Sequence, residues 1–165
     1  MKSRLYPAVA AVICGMDLYL KSRVEKCIKP GEEKKLSGTP FSIRKVYNRG
    51  VAFNLLQDQP KTMRMLTTSA VAAVVVYDFI LLHQKGRHLL KLGMMCMTGG
   101  ALSNFVDRVR HGKVVDYIGI RTHWEKFSSI TYNVGDFAIF AGAVMTVLSE
   151  FFQNKNWLNH KFCGI

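Results

Sequence analysis

Acidic residues are scarce in this chain, eleven against twenty-three lysines and arginines in 165 residues, which leaves a net charge of +12. A carboxylate inside an apolar stretch therefore stands out, because a lone ionised carboxylate in low dielectric is strongly unfavourable. Proline is rarer still, with four residues, and no Pro/Ser-rich linker, low-complexity tract or repeat divides the chain. A single domain over 1–165 is expected. The four cysteines, Cys14, Cys27, Cys96 and Cys163, have no paired spacing, and two of them fall in apolar stretches, which argues against a disulfide framework. The five histidines offer neither His-x-x-x-His nor Cys-His spacing, so no metal or cofactor is expected.

No recognised nucleic-acid motif accompanies the positive charge. The basic residues fall almost wholly between apolar segments, where each near the surface contributes about 1 kcal/mol of attraction to anionic headgroups. Membrane lipids are the expected partners, and nucleic acid is not.

A perfect twenty-residue apolar run is also missing, and mean hydropathy is only +0.09. That average hides four blocks, Leu5 to Leu20, Met65 to Leu82, Leu89 to Val106 and Phe137 to Phe152. Each has about the length of a tilted or thinned-bilayer span. Hydropathy thus predicts a four-helix membrane protein over buried helices of a soluble domain. Counting Lys and Arg in the flanking segments leaves the orientation undecided. Met1-Lys-Ser-Arg and its apolar sequel have the outline of a signal peptide, but Asp17 and Tyr19 stand where a small-residue cleavage site belongs, so the segment reads as a retained helix.

The long connector 21–64 is patterned. Phe41 to Asn48 alternates as a half-buried strand does, and Gly50 to Leu56 leads into a short helix. His83-Gln-Lys-Gly-Arg-His88 reads as a tight basic turn closing a helical hairpin. In the second loop, 107–133, Val114 to Ile120 and Ser128 to Tyr132 are β-prone and are expected to pair with Phe41 to Asn48 in a small sheet.

Two acids then become conspicuous, Asp116 in Gly112-Lys-Val-Val-Asp-Tyr-Ile and Asp136 in Tyr132-Asn-Val-Gly-Asp-Phe. Carboxylates at membrane depth usually have partners, and this pair suggests one shared site. Each also has a plainer role open to it: a strand edge for Asp116, and for Asp136 a helix cap worth about 1 kcal/mol. Asn104, Asp107 and Arg108 fall at i, i+3 and i+4, on one helix face, as a polar site or an anchoring cluster. Thr98-Gly-Gly-Ala101 is a small-residue patch that would let a helix approach closely. Asp17 and Lys21 read as an ordinary i,i+4 ion pair worth a few tenths of a kcal/mol, and Asp78 as an acid reaching toward the basic turn.

Asn48-Arg-Gly-Val-Ala-Phe53, Gly99-Gly-Ala-Leu-Ser-Asn-Phe-Val-Asp-Arg108, Gly112-Lys-Val-Val-Asp116 and Tyr132-Asn-Val-Gly-Asp136, in this order, resemble bacterial lipoprotein signal peptidase, or signal peptidase II. The resemblance implies an all-α polytopic membrane protein with four transmembrane helices, a small extracytoplasmic β-sheet cradle and a short loop helix. It implies an inner-membrane location, cytoplasmic termini and an aspartic endopeptidase, taken here as a monomer, that cuts diacylglyceryl-prolipoproteins before the modified cysteine. Asp116 and Asp136 match the catalytic pair. Asn48, Asn104, Arg108, Asn133, Asp17 and Lys21 match residues that bind substrate or support the pair. Close carboxylates do not both ionise easily, which leaves one as base and one as acid.

Three positions depart from the family's pattern. Ser103 stands where the family usually has glycine, Gly135 where it usually has alanine, and Arg49 beside Asn48 is unusual. A catalytically silent membrane protein that binds lipidated signal helices is the alternative these departures leave open. Proton-coupled transport through Asp17 and Asp78 has little room among four short helices.

Overall fold

The computed structural model describes residues 5–29, 31–50 and 58–162. Helix α1 (Leu5–Cys27) leads to strands β1 (Glu33–Lys35) and β2 (Phe41–Asn48). The hairpin α2 (Pro60–His83) and α3 (His88–His111) follows, then β3 (Val114–Ile120), the one-turn α4 (Glu125–Ser128), β4 (Thr131–Tyr132) and α5 (Val134–Phe162). The short helix expected over Gly50 to Leu56 falls largely on 51–57, outside the described residues.

Every long helix outruns its apolar block. Hydropathy stops at charges, but the backbone of α1 continues through Asp17 and Lys21 and that of α3 through Asp107, all three buried and paired. Helix starts and stops follow local chemistry: Pro60 opens α2, where its missing N–H costs nothing. Gly112 closes α3 in the left-handed region at φ 68°, its N–H bonded to the Arg108 carbonyl.

Among the described residues three helices are long and apolar enough to cross a membrane: Pro60–His83, His88–His111 and Val134–Gln153. α3 is the central one, with 56% of its apolar window buried against 17% for the other two. It packs on α5, α1 and α2. The small-residue patch serves two neighbours at once. A Cβ on Gly99 would lie 2.8 Å from the Ala10 carbonyl oxygen of α1, and one on Gly100 would collide with the Gly135 carbonyl of α5.

The sheet is antiparallel in the order β1-β2-β3-β4. β4 pairs with β3 rather than with β2, and it spans two residues instead of the expected Ser128 to Tyr132. The turn of α4 accounts for the shortening: the Ser128 N–H donates to the Trp124 carbonyl and the Ile130 N–H to the Phe127 carbonyl, and an N–H given to a turn is not available for a ladder. Arg44 fastens the turn, its guanidinium donating to the carbonyls of Ser128 and Ile130 and to Thr131 Oγ1, each at 2.8 Å. On β3, Val115 and Tyr117 face one way and pack with Val24 and Ile28 at the end of α1. Asp116, between them, faces the other way.

Candidate active site

Asp116 reaches its place through a fault in the sheet. Ile43 pairs with Ile118 but Val46 pairs with Asp116, so β2 carries one extra residue between them. Direct partners share a face and alternate residues return to it, so the bulge puts Val46, Asn48 and Asp116 on one side. Without the extra residue Asn48 would face away. Instead, Asn48 Nδ2 donates to Asp116 Oδ2 at 3.1 Å.

Asp136 reaches its place by capping its own helix. Its backbone N–H donates to Asn133 Oδ1 at 2.8 Å, and its Oδ2 accepts the Asn133 N–H at 3.0 Å. This reciprocal pair, three residues apart at the start of α5, is a capping box with asparagine and aspartate in its two places. The cap also joins the acids. Asn133, fully buried, turns its remaining amide Nδ2 to Asp116 Oδ1 at 2.7 Å.

Both carboxylates line one cavity of about 540 Å³ between the sheet, α2, α3 and α5, together with Asn48, Asn104 and Arg108. Asn104 Nδ2 donates to Asp136 Oδ1 at 2.9 Å. Arg108 donates through Nη2 to the Gly50 carbonyl at 2.9 Å, while its buried Nε has no protein partner among the described residues. Burial, and next the charge of Asp136, push the Asp116 carboxyl up to about 7, against the opposing pull of the Asn48 and Asn133 amides and Lys21.

The expected polar face of α3 divides in two. Asn104 and Arg108 face the cavity, but Asp107 turns behind it, accepting the Val115 N–H at 3.1 Å and pairing with Lys21 at 3.3 Å. Lys21 is not half of an ordinary surface ion pair. It is buried and reaches Asp17 Oδ2 at 2.8 Å, Ser103 Oγ at 3.0 Å and Asn104 Oδ1 at 2.8 Å. Asp17 in turn accepts Ser103 Oγ at 2.6 Å and Tyr117 OH at 2.9 Å. The exposed-pair value of a few tenths of a kcal/mol does not apply to such a cluster, where removing one partner strands a buried charge. Burial, followed by the Asp17 charge, pushes the Tyr117 phenol up and keeps it a donor.

Tyr117 was not among the expected site residues. Its signal lay in the strand period: one residue after Asp116, it had to face α1, where Asp17 is the buried acceptor. Asp78 does not reach for the basic turn either. It is buried against α3, where it accepts the Thr98 hydroxyl, and the turn's charge is engaged elsewhere through the Arg87–Glu150 ion pair.

The sequence profile of signal peptidase (SPase) II matches residues 9–152. The lipoprotein signal peptidase of Cupriavidus taiwanensis is 32% identical over 152 residues, 88% of this chain and 82% of that one. That of Geobacillus thermodenitrificans is 30% identical over 148 residues, with 90% of each chain covered. In fold, a bacterial membrane enzyme solved in meso at 2.3 Å superposes with a TM-score of 0.80 at 20% identity, covering 92% of this chain and 90% of that one. With that profile running through all three apolar spans and both cavity-lining aspartates, the chain belongs to the signal peptidase II family and is a membrane-embedded peptidase.

Proposed function

We propose that this peptidase, whose family removes signal peptides from prolipoproteins, is an aspartic endopeptidase with Asp116 and Asp136 as its dyad. The scissile bond lies just before the diacylglyceryl-modified cysteine. The observation that carries this reading is the pair of carboxylates facing one cavity, each held by two N–H donors: Asp116 by Asn48 and Asn133, Asp136 by Asn104 and the Asn133 backbone.

In the dyad one proton serves two acids, and titration belongs to the pair. Asp116, pushed up to about 7, is the proton holder. Asp136 takes the negative charge, since it accepts a backbone N–H at a helix N-terminus, where the dipole favours an anion. Asp136 removes a proton from water as the oxygen attacks the scissile carbonyl carbon, and Asp116 gives its proton to the carbonyl oxygen. When the tetrahedral adduct collapses, one of its two hydroxyls returns a proton to Asp116 as the C=O bond re-forms, the C–N bond breaks, and the leaving nitrogen takes the proton from Asp136, which restores the dyad. No covalent intermediate forms. The unpartnered Arg108 Nε donates to a substrate carbonyl next to the reacting centre.

In the bilayer α1 is the fourth span. Its buried positions, Tyr6, Ala10, Asp17, Lys21 and Val24, form one inward stripe, while Val12, Met16 and Tyr19 are exposed and apolar on the outside. The two charges next to its apolar block, Asp17 and Lys21, face protein, so the surface toward lipid stays apolar as far as Leu20, and the exposed Arg23, Glu25 and Lys26 lie on the last turn and a half of the helix. Four spans put both termini on one side; by the family resemblance that side is the cytoplasm, with the sheet and dyad at the outer face of the inner membrane. The protein acts as a monomer, with anionic lipid around its basic segments.

The test is cleavage of a diacylglyceryl prolipoprotein by the purified protein in detergent. Asp116→Asn and Asp136→Asn are each expected to abolish turnover while unfolding at the wild-type temperature. Undiminished cleavage by either variant would sink the dyad. A wild-type protein that binds the substrate and never cuts it would mark a silent binder instead.

A further inference from the structure

Behind the dyad, the Asp17 carboxylate is gripped on one side and crowded on the other. Ser103 Oγ donates to its Oδ2 at 2.6 Å and Lys21 Nζ reaches the same oxygen at 2.8 Å. Close to that same oxygen lies the bare α-carbon of Gly135. A Cβ built there would sit 2.9 Å from Asp17 Oδ2, 3.0 Å from Asn133 Oδ1 and 3.1 Å from the Gly100 carbonyl oxygen. All three are tighter than ordinary contact. Gly135, Ser103 and Asp17 are buried, so no solvent-filled space absorbs the pressure.

We propose that Ser103 and Gly135 form one positioning pair across Asp17: the serine hydroxyl fixes the carboxylate, and the missing side chain at 135 makes the room that fixed carboxylate needs. The pair acts on both members of the dyad. On one side, Asp17 and Ser103 hold the Lys21 ammonium, Lys21 holds Asn104 Oδ1, and the other end of that amide donates to Asp136. On the other side, Gly135 leaves space for Asn133 Oδ1, whose amide nitrogen holds Asp116. Neither Ser103 nor Gly135 lines the cavity, so neither touches substrate.

The inference rests on the dyad reading and predicts a sign that a merely structural role would not give. A methyl at 135 makes its tightest contact with Asp17 Oδ2 while Ser103 pins that oxygen, and its two longer contacts, with Asn133 Oδ1 and the Gly100 carbonyl, need a shift of only a few tenths of an ångström. Once the hydroxyl and its Cβ are gone, the carboxylate swings into the vacated space and the methyl fits. The experiment is a double-mutant cycle on Ser103→Gly and Gly135→Ala, reading kcat and KM for a diacylglyceryl prolipoprotein in detergent micelles, with thermal unfolding alongside.

Gly135→Ala alone is expected to lower kcat about tenfold or more with KM little changed, since a displacement well under 1 Å at a reacting group is costly. In the Ser103→Gly background the same methyl is expected to cost less than about threefold, a coupling that only interacting sites show. Equal costs in the two backgrounds, or a Gly135→Ala variant with wild-type kcat, would overturn the pair. If Gly135→Ala fails to fold, a folded and active double variant upholds the proposal, and a double variant that also fails to fold overturns it. Asp116→Asn and Asp136→Asn run in parallel keep the two readings apart: if they cut, the dyad assignment fails, whereas an additive cycle with both of them inactive removes only the pair.

Discussion

Each asparagine at the dyad is oriented by something other than the carboxylate it serves. Asn48 Oδ1 accepts the Gly50 N–H, Asn104 Oδ1 accepts Lys21 and Asn133 Oδ1 accepts the Asp136 N–H. An amide whose oxygen is committed has only its NH₂ to offer the acids. This gives the pH dependence a sign. Asp116 must keep its proton to act as the acid, so activity is expected to fall as pH rises through about 7. The Asn48 amide stabilises the ionised form, so Asn48→Ala should move that alkaline limb to higher pH. The Asp136 charge does the reverse, and in Asp136→Asn the Asp116 carboxyl stretch, followed by infrared difference spectroscopy, should titrate at lower pH. An alkaline limb that stays in place in Asn48→Ala while the acid limb moves to higher pH would make Asp116 the base. That Asp116 and Asp136 share one cavity was legible from the scarcity of acids and the cost of burying them. Ser103 and Gly135 were not, reading as two separate small departures until folding set them on either side of one carboxylate.

At the scale of elements, glycines that look alike in the sequence differ in what an added methyl meets. At Gly112 a Cβ meets nothing within 4 Å, and only the positive φ penalises alanine. That substitution is expected to cost about 1 kcal/mol. At Gly100 the conformation is helical but the methyl enters the Gly135 backbone, so Gly100→Ala must push α3 off α5 and should cost about 1–3 kcal/mol or more. Chemical unfolding in mixed micelles ranks the two. A Gly112→Ala variant less stable than Gly100→Ala would mean that the helices do not approach as closely as described. The existence of the long helices and of β2 and β3 was readable from apolar blocks and alternation. Their ends were not, because a hydropathy window cannot see that Lys21 pairs with Asp17 in its own helix and with Asp107 across two helices. Nor can periodicity reveal that the turn of α4, fastened by Arg44 of β2, takes the N–H groups that an extended β4 would have used.

For the whole molecule, what matters is which sides of the cavity are protein and which are open. Met63, Leu66, Thr67, Ala70, Val71 and Val74 of α2 line one wall, and Ile139 of α5 lies on another. α2 is thinly packed, with only Met63, Asp78 and Leu81 buried along its 24 residues. On the dyad proposed above, a signal helix arriving within the bilayer reaches Asp116 and Asp136 by docking against this wall, and wall residues are then expected to govern substrate entry separately from chemistry. Ala70→Trp, which fills the groove, is expected to raise KM by about tenfold or block cleavage, whereas Val76→Trp on the exposed outer side of α2 should leave kcat/KM within about twofold. Both variants add the same ring to the same helix, so general perturbation of α2 would affect them alike. Equal losses in the two, measured with one lipidated substrate and matched thermal stability, would mean that the signal helix does not enter along this groove.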